Sequence, residues 1–593
     1  MCRRSHETRK CRRWNGESNS SFIIGHAPFV LLAFIVLPCA TALAQITSIV
    51  NSPHNLSATG PGTIRATTEQ EICIFCHTPH NSTPKTPLWN RNLPVSAYTV
   101  YTSRSLQAVP GQPTGSSKLC LSCHDGTIAL GSVLSRGQQV QMAGGITTLP
   151  PGRSNLGTDL SDDHPISFLY DDALVARNPK LKSPGSLPPS VKLDPRRELQ
   201  CTSCHDPHND QYGNFLVMSN VTSQLCNTCH NQGITDITAH VQCEACHQPH
   251  TAPSRAYLLK ARNVTQTCLL CHSGQPGVNQ GPNIAAVLSN VSRHDTDSPV
   301  DQANHIPGNV VCNDCHEGHT MLNRSAIAPN ISPKLGRIDG INSSGARVPI
   351  AQFEYEVCFK CHDDLTATQS RITRQVVQNN TRLQFAPAAV SYHPVEIAGK
   401  SMLVPSLRPG LTTASVIYCT DCHNSETSRL AGGSGPNGPH GSNAAPLLIA
   451  RYDTTDNTAE SAAAYALCYG CHERASILAN QSFPQHSTHV VDNTTPCSAC
   501  HDSHGISSAQ GTAANHSHLI NFDVTIVRPD PVTGRLEYVT TAPASGSCFL
   551  SCHGVPHSPK TYGNPPPPPG PAAKVARPAR GARPVMPARP RRR

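Results

Sequence analysis

The residues of this sequence that could do chemistry are pairs of cysteines, each followed at once by a histidine. One example is CEACHQPH, Cys243–His250, where two residues separate the cysteines and a second histidine lies three residues after the first. Such a pair could be a zinc site, a redox dithiol, part of a disulfide framework or a haem attachment site. The number of copies and their constant form discriminate between these four.

Twelve copies occur, and they use 24 of the 27 cysteines; the other three lie within the first 39 residues. Eleven read CxxCH, and the twelfth has one extra residue between its cysteines. In chain order they are motif 1 (Cys73, Cys76, His77), motif 2 (Cys120, Cys123, His124), motif 3 (Cys201, Cys204, His205), motif 4 (Cys226, Cys229, His230), motif 5 (Cys243, Cys246, His247), motif 6 (Cys268, Cys271, His272), motif 7 (Cys312, Cys315, His316), motif 8 (Cys358, Cys361, His362), motif 9 (Cys419, Cys422, His423), motif 10 (Cys468, Cys471, His472), motif 11 (Cys497, Cys500, His501) and motif 12 (Cys548, Cys552, His553).

The histidine in every copy excludes most of the alternatives. A disulfide framework does not explain it, and a zinc site normally takes its histidines from a separate element because tetrahedral ligands come from different sides. A redox dithiol needs one CxxC, not twelve. The pattern therefore predicts about twelve covalently bound haem c groups, each held by two thioether bonds and one proximal imidazole on the iron. Motif 12 departs from the standard spacing.

The composition agrees with a haem-filled interior. Only 37% of the 593 residues are hydrophobic and 5% are aromatic, a thin supply for an ordinary core in a chain this long. Haem macrocycles would replace the missing apolar side chains. Residues 45–564 carry 33 basic and 36 acidic side chains, so nothing here predicts a nucleic-acid partner.

Seventeen histidines outside residues 1–44 remain for the second axial position, and five recur three residues after a proximal histidine. Residues at i and i+3 lie on the same side of a helical turn, so the second histidine cannot reach the far face of the same porphyrin. We expect it to bind a neighbouring haem, and for His250 we expect the haem of motif 6. This internal set is His80, His208, His250, His319 and His504, with His440 as the substitute near motif 9.

When the twelve motifs are taken as six consecutive pairs, one further histidine lies upstream of each pair. Together with the internal set these histidines make twelve, one for each haem. The upstream set is His54, His164, His240, His305, His393 and His489. His294, His486, His516, His518 and His557 are reserves that could replace a member, and five methionines could also serve as ligands.

The paired CxxCH…CHxPH…CxxCH arrangement, with its HPV-like, GPHGS and CHDGT segments, resembles the multihaem c-type cytochromes with doubled haem motifs. Those proteins occur in the periplasm and on the outer surface of respiring bacteria, and some assemble into filaments. The expected fold is mostly irregular, with short helices, little strand and about six di-haem modules in a row. The expected divisions are a signal peptide at 1–44, modules at 45–140, 141–232, 233–290, 291–375, 376–480 and 481–564, and a disordered tail at 565–593.

The two ends of the chain carry separate predictions. Residues 1–44 combine a basic start, an apolar run and Ala42-Leu43-Ala44, which is typical of a signal peptide and predicts export to the periplasm or the cell surface. No transmembrane span is expected in the mature chain. The Pro- and Arg-rich tail either has no role or docks on an acidic surface. Thr525–Val539 reads as a β-hairpin.

The predicted function is electron transfer, because a haem with two histidine ligands has no open position for a substrate. No catalytic residue is expected. The partners would be other redox proteins or extracellular electron acceptors, and self-assembly into filaments is compatible with this function. The alternative is a multihaem reductase with one open catalytic haem.

Overall fold

The structure is a computed structural model that describes residues 48–80, 82, 88–233, 235–275, 281–296, 310–363, 371–542 and 545–563. The chain divides into two compact units, Met1–Gln45 and Ile46–Arg593. The first unit, which includes the expected signal peptide, lies outside the described residues, as does the tail at 565–593.

Regular structure is sparse and every element is short, as the sequence predicts. The α-helices are α1 (Gly115–His124), α2 (Asp172–Arg177), α3 (Cys201–Cys204), α4 (Cys226–Cys229), α5 (Cys243–Cys246), α6 (Val264–His272), α7 (Ile284–Leu288), α8 (Cys312–Cys315), α9 (Glu354–Cys358), α10 (Thr381–Phe385), α11 (Ala466–Tyr469) and α12 (Arg474–Leu478). The strands are β1 (Thr99–Val100), β2 (Asp159–Leu160), β3 (Phe168–Leu169), β4 (Glu198–Leu199), β5 (Ser292–Arg293), β6 (Gly340–Ile341), β7 (Arg347–Val348), β8 (Ser391–Tyr392), β9 (Gly441–Ser442), β10 (Gly505–Ile506), β11 (Val527–Arg528), β12 (Glu537–Ala542), β13 (Ser545–Cys552) and β14 (Val555–Tyr562).

Motifs 1 to 11 each include a short helical turn. Some of these turns belong to α-helices, as in α5, and others are 3₁₀ turns, such as Cys73–Phe75, Cys419–Asp421 and Cys497–Ala499. In motif 5 the His247 backbone N–H donates to the Cys243 carbonyl oxygen at 2.8 Å. Because this bond closes one turn, both cysteines and the histidine lie on the same side of it. A single turn can therefore present two sulfurs and an imidazole to one porphyrin.

The largest sheet lies at the end of the described chain and carries motif 12. Strands β11, β12 and β14 all pair antiparallel with β13. The predicted hairpin over Thr525–Val539 is wrong, because its two β-rich runs do not pair with each other. They pair with successive parts of β13, an interaction between distant segments that turn residues cannot reveal.

The apolar cores are small and separate. One of them consists of Ile74, Phe75, Leu130 and a few neighbours, and the motif 2 cysteine Cys123 packs against it. Other clusters likewise pack against motif cysteines, such as Cys229 and Cys315. The protein thus builds its limited core around the attachment points, as expected where haem fills much of the interior. The division into six modules stays a prediction.

Candidate haem sites

Most proximal histidines face a second imidazole at a constant distance. Ten such pairs have ring centres 6.1–6.5 Å apart, and they are His77–His208, His124–His54, His205–His250, His230–His164, His247–His319, His272–His240, His316–His440, His362–His294, His423–His504 and His501–His486. A metal–imidazole bond of about 2.0 Å, with roughly 1.1 Å more from nitrogen to ring centre on each side, spaces two ligands of one iron about 6.2 Å apart. The residues therefore fit an iron between each pair.

The Nδ1 atoms of most of these rings are engaged elsewhere, which leaves Nε2 for iron; His440 Nδ1 is an exception, with no hydrogen-bond partner among the described residues. The Nδ1 atoms of His124 and His205 lie 2.7 and 2.8 Å from the carbonyl oxygens of Ser154 and Asn214. His54 contacts Pro207 O in the same way, at 3.1 Å. A hydrogen bond at one ring nitrogen fixes the tautomer and orients the other nitrogen toward the metal. Burial also lowers the pKa of several ligands, that of His501 to about 4, so they are neutral and can coordinate.

The second histidines follow a simple rule along the chain. The rings opposite motifs 1, 3 and 5 come from the CHxxH histidines of motifs 3, 5 and 7, and the ring opposite motif 9 comes from motif 11. Motif 7 takes His440, from the segment between motifs 9 and 10. For motifs 2, 4, 6 and 8 the second ring lies upstream, before the first motif of the same pair. Successive pairs of motifs are therefore interlocked.

Two predictions from the CHxxH form are wrong in detail. His250 faces His205 of motif 3, not His272 of motif 6. His272 instead faces His240, at 6.3 Å. His80 was expected to be a ligand, but it is exposed and the ring opposite His77 is His208. His80 follows the first motif, so no earlier motif exists for it to serve.

Three of the reserves, His294, His486 and His557, face a second imidazole. His305 lies outside the described residues, and His294 faces His362. His486 faces His501. His489 faces His557, and their ring centres are 6.3 Å apart. Neither residue directly follows the second cysteine of a motif, so neither was expected to be a proximal ligand. Spacing alone could not rank these reserves, because the pairing joins distant segments.

The proximal histidines of motifs 10 and 12, His472 and His553, are not among the ten pairs. Burial is the main cause that lowers the pKa of His472 to about 4, and the nearby His393 and His501 contribute. His393 Nδ1 is 2.7 Å from the Ser503 carbonyl oxygen, in keeping with the other ligands. His553 differs, because its Nε2 lies 2.8 Å from Asp456 Oδ1. The expected role of His553 as a proximal ligand does not fit this placement.

Carboxylates orient two of the interlocking histidines. Asp163 Oδ1 lies 3.0 Å from His250 Nδ1, and its side chain is 5% exposed. Glu317 Oε1 lies 2.8 Å from His319 Nδ1, and this hydrogen bond lowers the pKa of Glu317. A carboxylate behind an imidazole makes it a more basic ligand. Asp163 directly precedes His164, so adjacent residues serve the sites of motifs 3 and 4.

The cysteines of consecutive motifs lie close together in one unbranched series. Between pairs of motifs, the thiols of the first cysteines lie next to each other: Cys120–Cys201, Cys226–Cys243, Cys268–Cys312, Cys358–Cys419 and Cys468–Cys497. Within pairs, cysteines are electrostatic neighbours: Cys76–Cys123, Cys204–Cys229, Cys246–Cys271, Cys315–Cys361, Cys422–Cys471 and Cys500–Cys552. The attachment points therefore form a continuous line from motif 1 to motif 12.

One continuous cavity runs past much of this line. Its volume is about 3540 Å³, and its lining includes both cysteines and the proximal histidine of every motif from motif 1 to motif 7. Small-molecule sites are typically about 300–1,000 Å³. The cavity is thus several times larger than a site for one ligand, and the surface of its walls is largely apolar.

A buried carboxyl lies beside the contact between motifs 8 and 9. Glu354 begins helix α9, which ends at Cys358, and it accepts hydrogen bonds from the Thr420 N–H and Oγ1 at 3.1 and 3.0 Å. Burial raises the pKa of Glu354 to about 7, although the Thr420 hydrogen bonds lower it. Glu354 therefore changes charge near neutral pH next to two attachment sites.

This carboxyl should make a reduction potential depend on pH. Above pH 7 the ionised Glu354 stabilises ferric iron, so the potential of the neighbouring haems should fall as pH rises from 6 to 8, by up to about 59 mV per unit. Spectroelectrochemical titration at several pH values measures this, and Glu354→Gln should remove that contribution. Thr420→Val, which deletes one hydrogen bond to the ionised form, should shift the transition to higher pH. An unchanged pH profile in Glu354→Gln would contradict the assignment.

The candidate metal-binding side chains lie in opposed pairs and not in clusters. Among the described residues, no three or more His, Cys, Asp and Glu side chains converge as a metal-ion site. A tetrahedral zinc centre would bring four ligands together, whereas axial haem ligation needs two opposed imidazoles. In the described part of the chain, no helix has the length and apolar character needed to cross a membrane.

Comparison with known families supports this interpretation directly. Residues 194–235 and 237–277 each match the family model of the doubled CXXCH motif, so the matches cover motifs 3 and 4 and motifs 5 and 6. No curated protein matches the chain. The CXXCH motifs indicate covalently bound haem c, and the predicted resemblance to the multihaem c-type cytochromes with doubled haem motifs is confirmed.

Proposed function

We propose that the chain is an electron conduit in which about twelve haems pass electrons along one series. The observation that carries the proposal is that cysteines of consecutive motifs are neighbours along the whole series. When bound, haem c supplies a one-electron ferric/ferrous couple. The protein sets the order and the ligation of the haems.

The histidine pairs support transfer rather than catalysis. Each opposed pair would occupy both axial positions of its iron and exclude an external ligand. The hydrogen bonds at Nδ1 hold the rings in place, so little rearrangement accompanies a change of charge. Such sites need no general acid, base or nucleophile. The alternative function, a reductase, would need one iron with a free axial position.

The proposal includes the setting and the partners. Residues 1–44 have the pattern of a signal peptide, and haem c is attached outside the cytoplasm in the family that this chain resembles. The donors and acceptors would be other redox proteins or extracellular acceptors, with filaments as one form in which the line of haems could be extended. The conduit does not depend on which of these partners it serves.

Three measurements on the purified mature protein test the proposal. Intact mass should show about twelve haems per chain, and electron paramagnetic resonance of the oxidised protein should show low-spin ferric iron only. The reduced protein should not bind carbon monoxide. A high-spin signal with stoichiometric binding of carbon monoxide in the wild type would overturn the conduit and favour the reductase.

A further inference from the structure

Motif 12 is built differently from the other eleven. Cys548 and Cys552 lie on β13, and the next two residues, His553 and Gly554, form the turn into β14. Both turn residues have positive φ, 50° and 75°, which is the conformation of a type I′ hairpin. A hairpin cannot place the histidine beside both sulfurs as a helical turn does. The position of His553 relative to its two cysteines therefore differs from that of the proximal histidines in motifs 1 to 11.

The hydrogen bonding of His553 is also reversed. Where proximal histidines such as His124 and His205 engage Nδ1, His553 directs Nε2 to Asp456 Oδ1, at 2.8 Å. The nitrogen that would bind iron is thus committed to a carboxylate. The residue is exposed, and in the described part of the chain no ring contact joins it to another imidazole, although its charge acts on the nearby His489.

His557 has the properties that His553 lacks. It is 6% exposed, and its ring centre lies 6.3 Å from that of His489, within the range of the ten proximal pairs. The Nδ1 atoms are held, that of His557 by Tyr562 Oη at 2.8 Å and that of His489 by the Gln485 carbonyl oxygen at 2.7 Å. Both Nε2 atoms remain for a metal.

The strand register places His557 correctly for the two sulfurs. It pairs with Leu550, which lies midway between Cys548 and Cys552. Alternate residues of a strand share a face, and both cysteines pack with Leu550 in one apolar cluster. Cys548 also lies beside the side chain of Tyr562, the residue that holds His557. The cysteines, His557 and His489 therefore belong to one site.

We infer that the iron of the twelfth haem is bound by His557 and His489, and that His553 is not a ligand. The inference rests on the proposed function only in taking a haem to be attached at Cys548 and Cys552. In that attachment each thiol adds across one vinyl group, sulfur to the inner carbon and hydrogen to the outer one, so no oxidant is consumed. One of the two axial ligands, His557, then lies five positions after the second cysteine, Cys552.

Alanine variants of the two histidines in the full mature protein separate the assignments. His557→Ala should keep twelve haems by intact mass, show one high-spin ferric haem and bind one carbon monoxide per reduced chain. His489→Ala should do the same. His553→Ala should stay fully low-spin and bind none. Binding of carbon monoxide by His553→Ala, with His557→Ala behaving as the wild type, would overturn the inference.

A second variant covers the case in which His557→Ala does not mature. His557→Met keeps a sixth ligand and should raise the potential of one haem, because His/Met ligation gives a higher potential than bis-histidine ligation. His553→Met should leave all potentials unchanged, and the reverse result contradicts the assignment. A wild-type chain with eleven haems and no haem at Cys548 and Cys552 would sink this inference alone. A wild-type chain without haem at the other motifs would instead sink the proposed function.

Discussion

Replacing His250 with alanine should convert one of about twelve low-spin haems into a ligand-accessible haem, and that haem should be the one at Cys201 and Cys204. The His250 ring lies opposite His205, so its removal leaves one axial position of that iron without a protein ligand. The expected result is one high-spin ferric signal and one bound carbon monoxide per reduced chain, with the haem count of the wild type. The binding stoichiometry is measured by spectrophotometric titration.

The chain provides a matched control for this variant. His80 lies in CHTPH and His250 in CHQPH, so both residues follow a proximal histidine at the same offset and after a proline. His80 is exposed and the ring opposite His77 is His208, so His80→Ala should leave the spin state and the carbon monoxide titration unchanged. In a background with Cys201→Ser and Cys204→Ser, His250→Ala should open no haem. If it still opens one, the affected haem is not that of motif 3.

Replacing Cys243 and Cys246 with serine should remove the haem of motif 5 and interrupt the conduit. Cys243 contacts Cys226 of motif 4, and Cys246 lies beside Cys271 of motif 6, so motif 5 links these two neighbours. Intact mass should fall by one haem, and conductance through single molecules attached near residues 48 and 563 should fall sharply. Thermal stability should also fall, since His247 and His319 would no longer share an iron.

The corresponding change at the end of the line is the control. Cys548→Ser with Cys552→Ser also removes one haem, but motif 12 has a neighbour on one side only. Conductance between electrodes attached near residues 48 and 500 should therefore be retained in this variant and lost in the motif 5 variant. Equal conductance in both variants would show that electrons do not follow the order of the motifs.

The sequence was sufficient to predict features that depend on local spacing. The helical turns, the sparse regular structure and the surplus of histidines all follow from residues within a few positions of one another. The choice of partner histidine is different, because it depends on how distant segments pack. His250 illustrates this, since its offset from His247 excludes its own haem but does not distinguish motif 3 from motif 6.

Motif 12 is a second case in which the pairing of distant residues could not be predicted from the sequence. Its extra residue was visible in the sequence, but the consequence was not, because the hairpin forms through the pairing of β13 with β14. Four residues separate His557 from Cys552, and the strand register brings His557 back between the two cysteines. The position of His489 upstream of motif 11 does not indicate that its partner ring is His557.

The interlocked histidines impose an order of assembly on the protein. A chain is made from its N-terminus, so the upstream ligands of motifs 2, 4 and 6 are already present when those proximal histidines emerge. Motifs 1, 3 and 5 must wait for a histidine from the following pair. Each new segment therefore completes a site begun by the one before it, and a chain that stops early ends with an unfinished iron site.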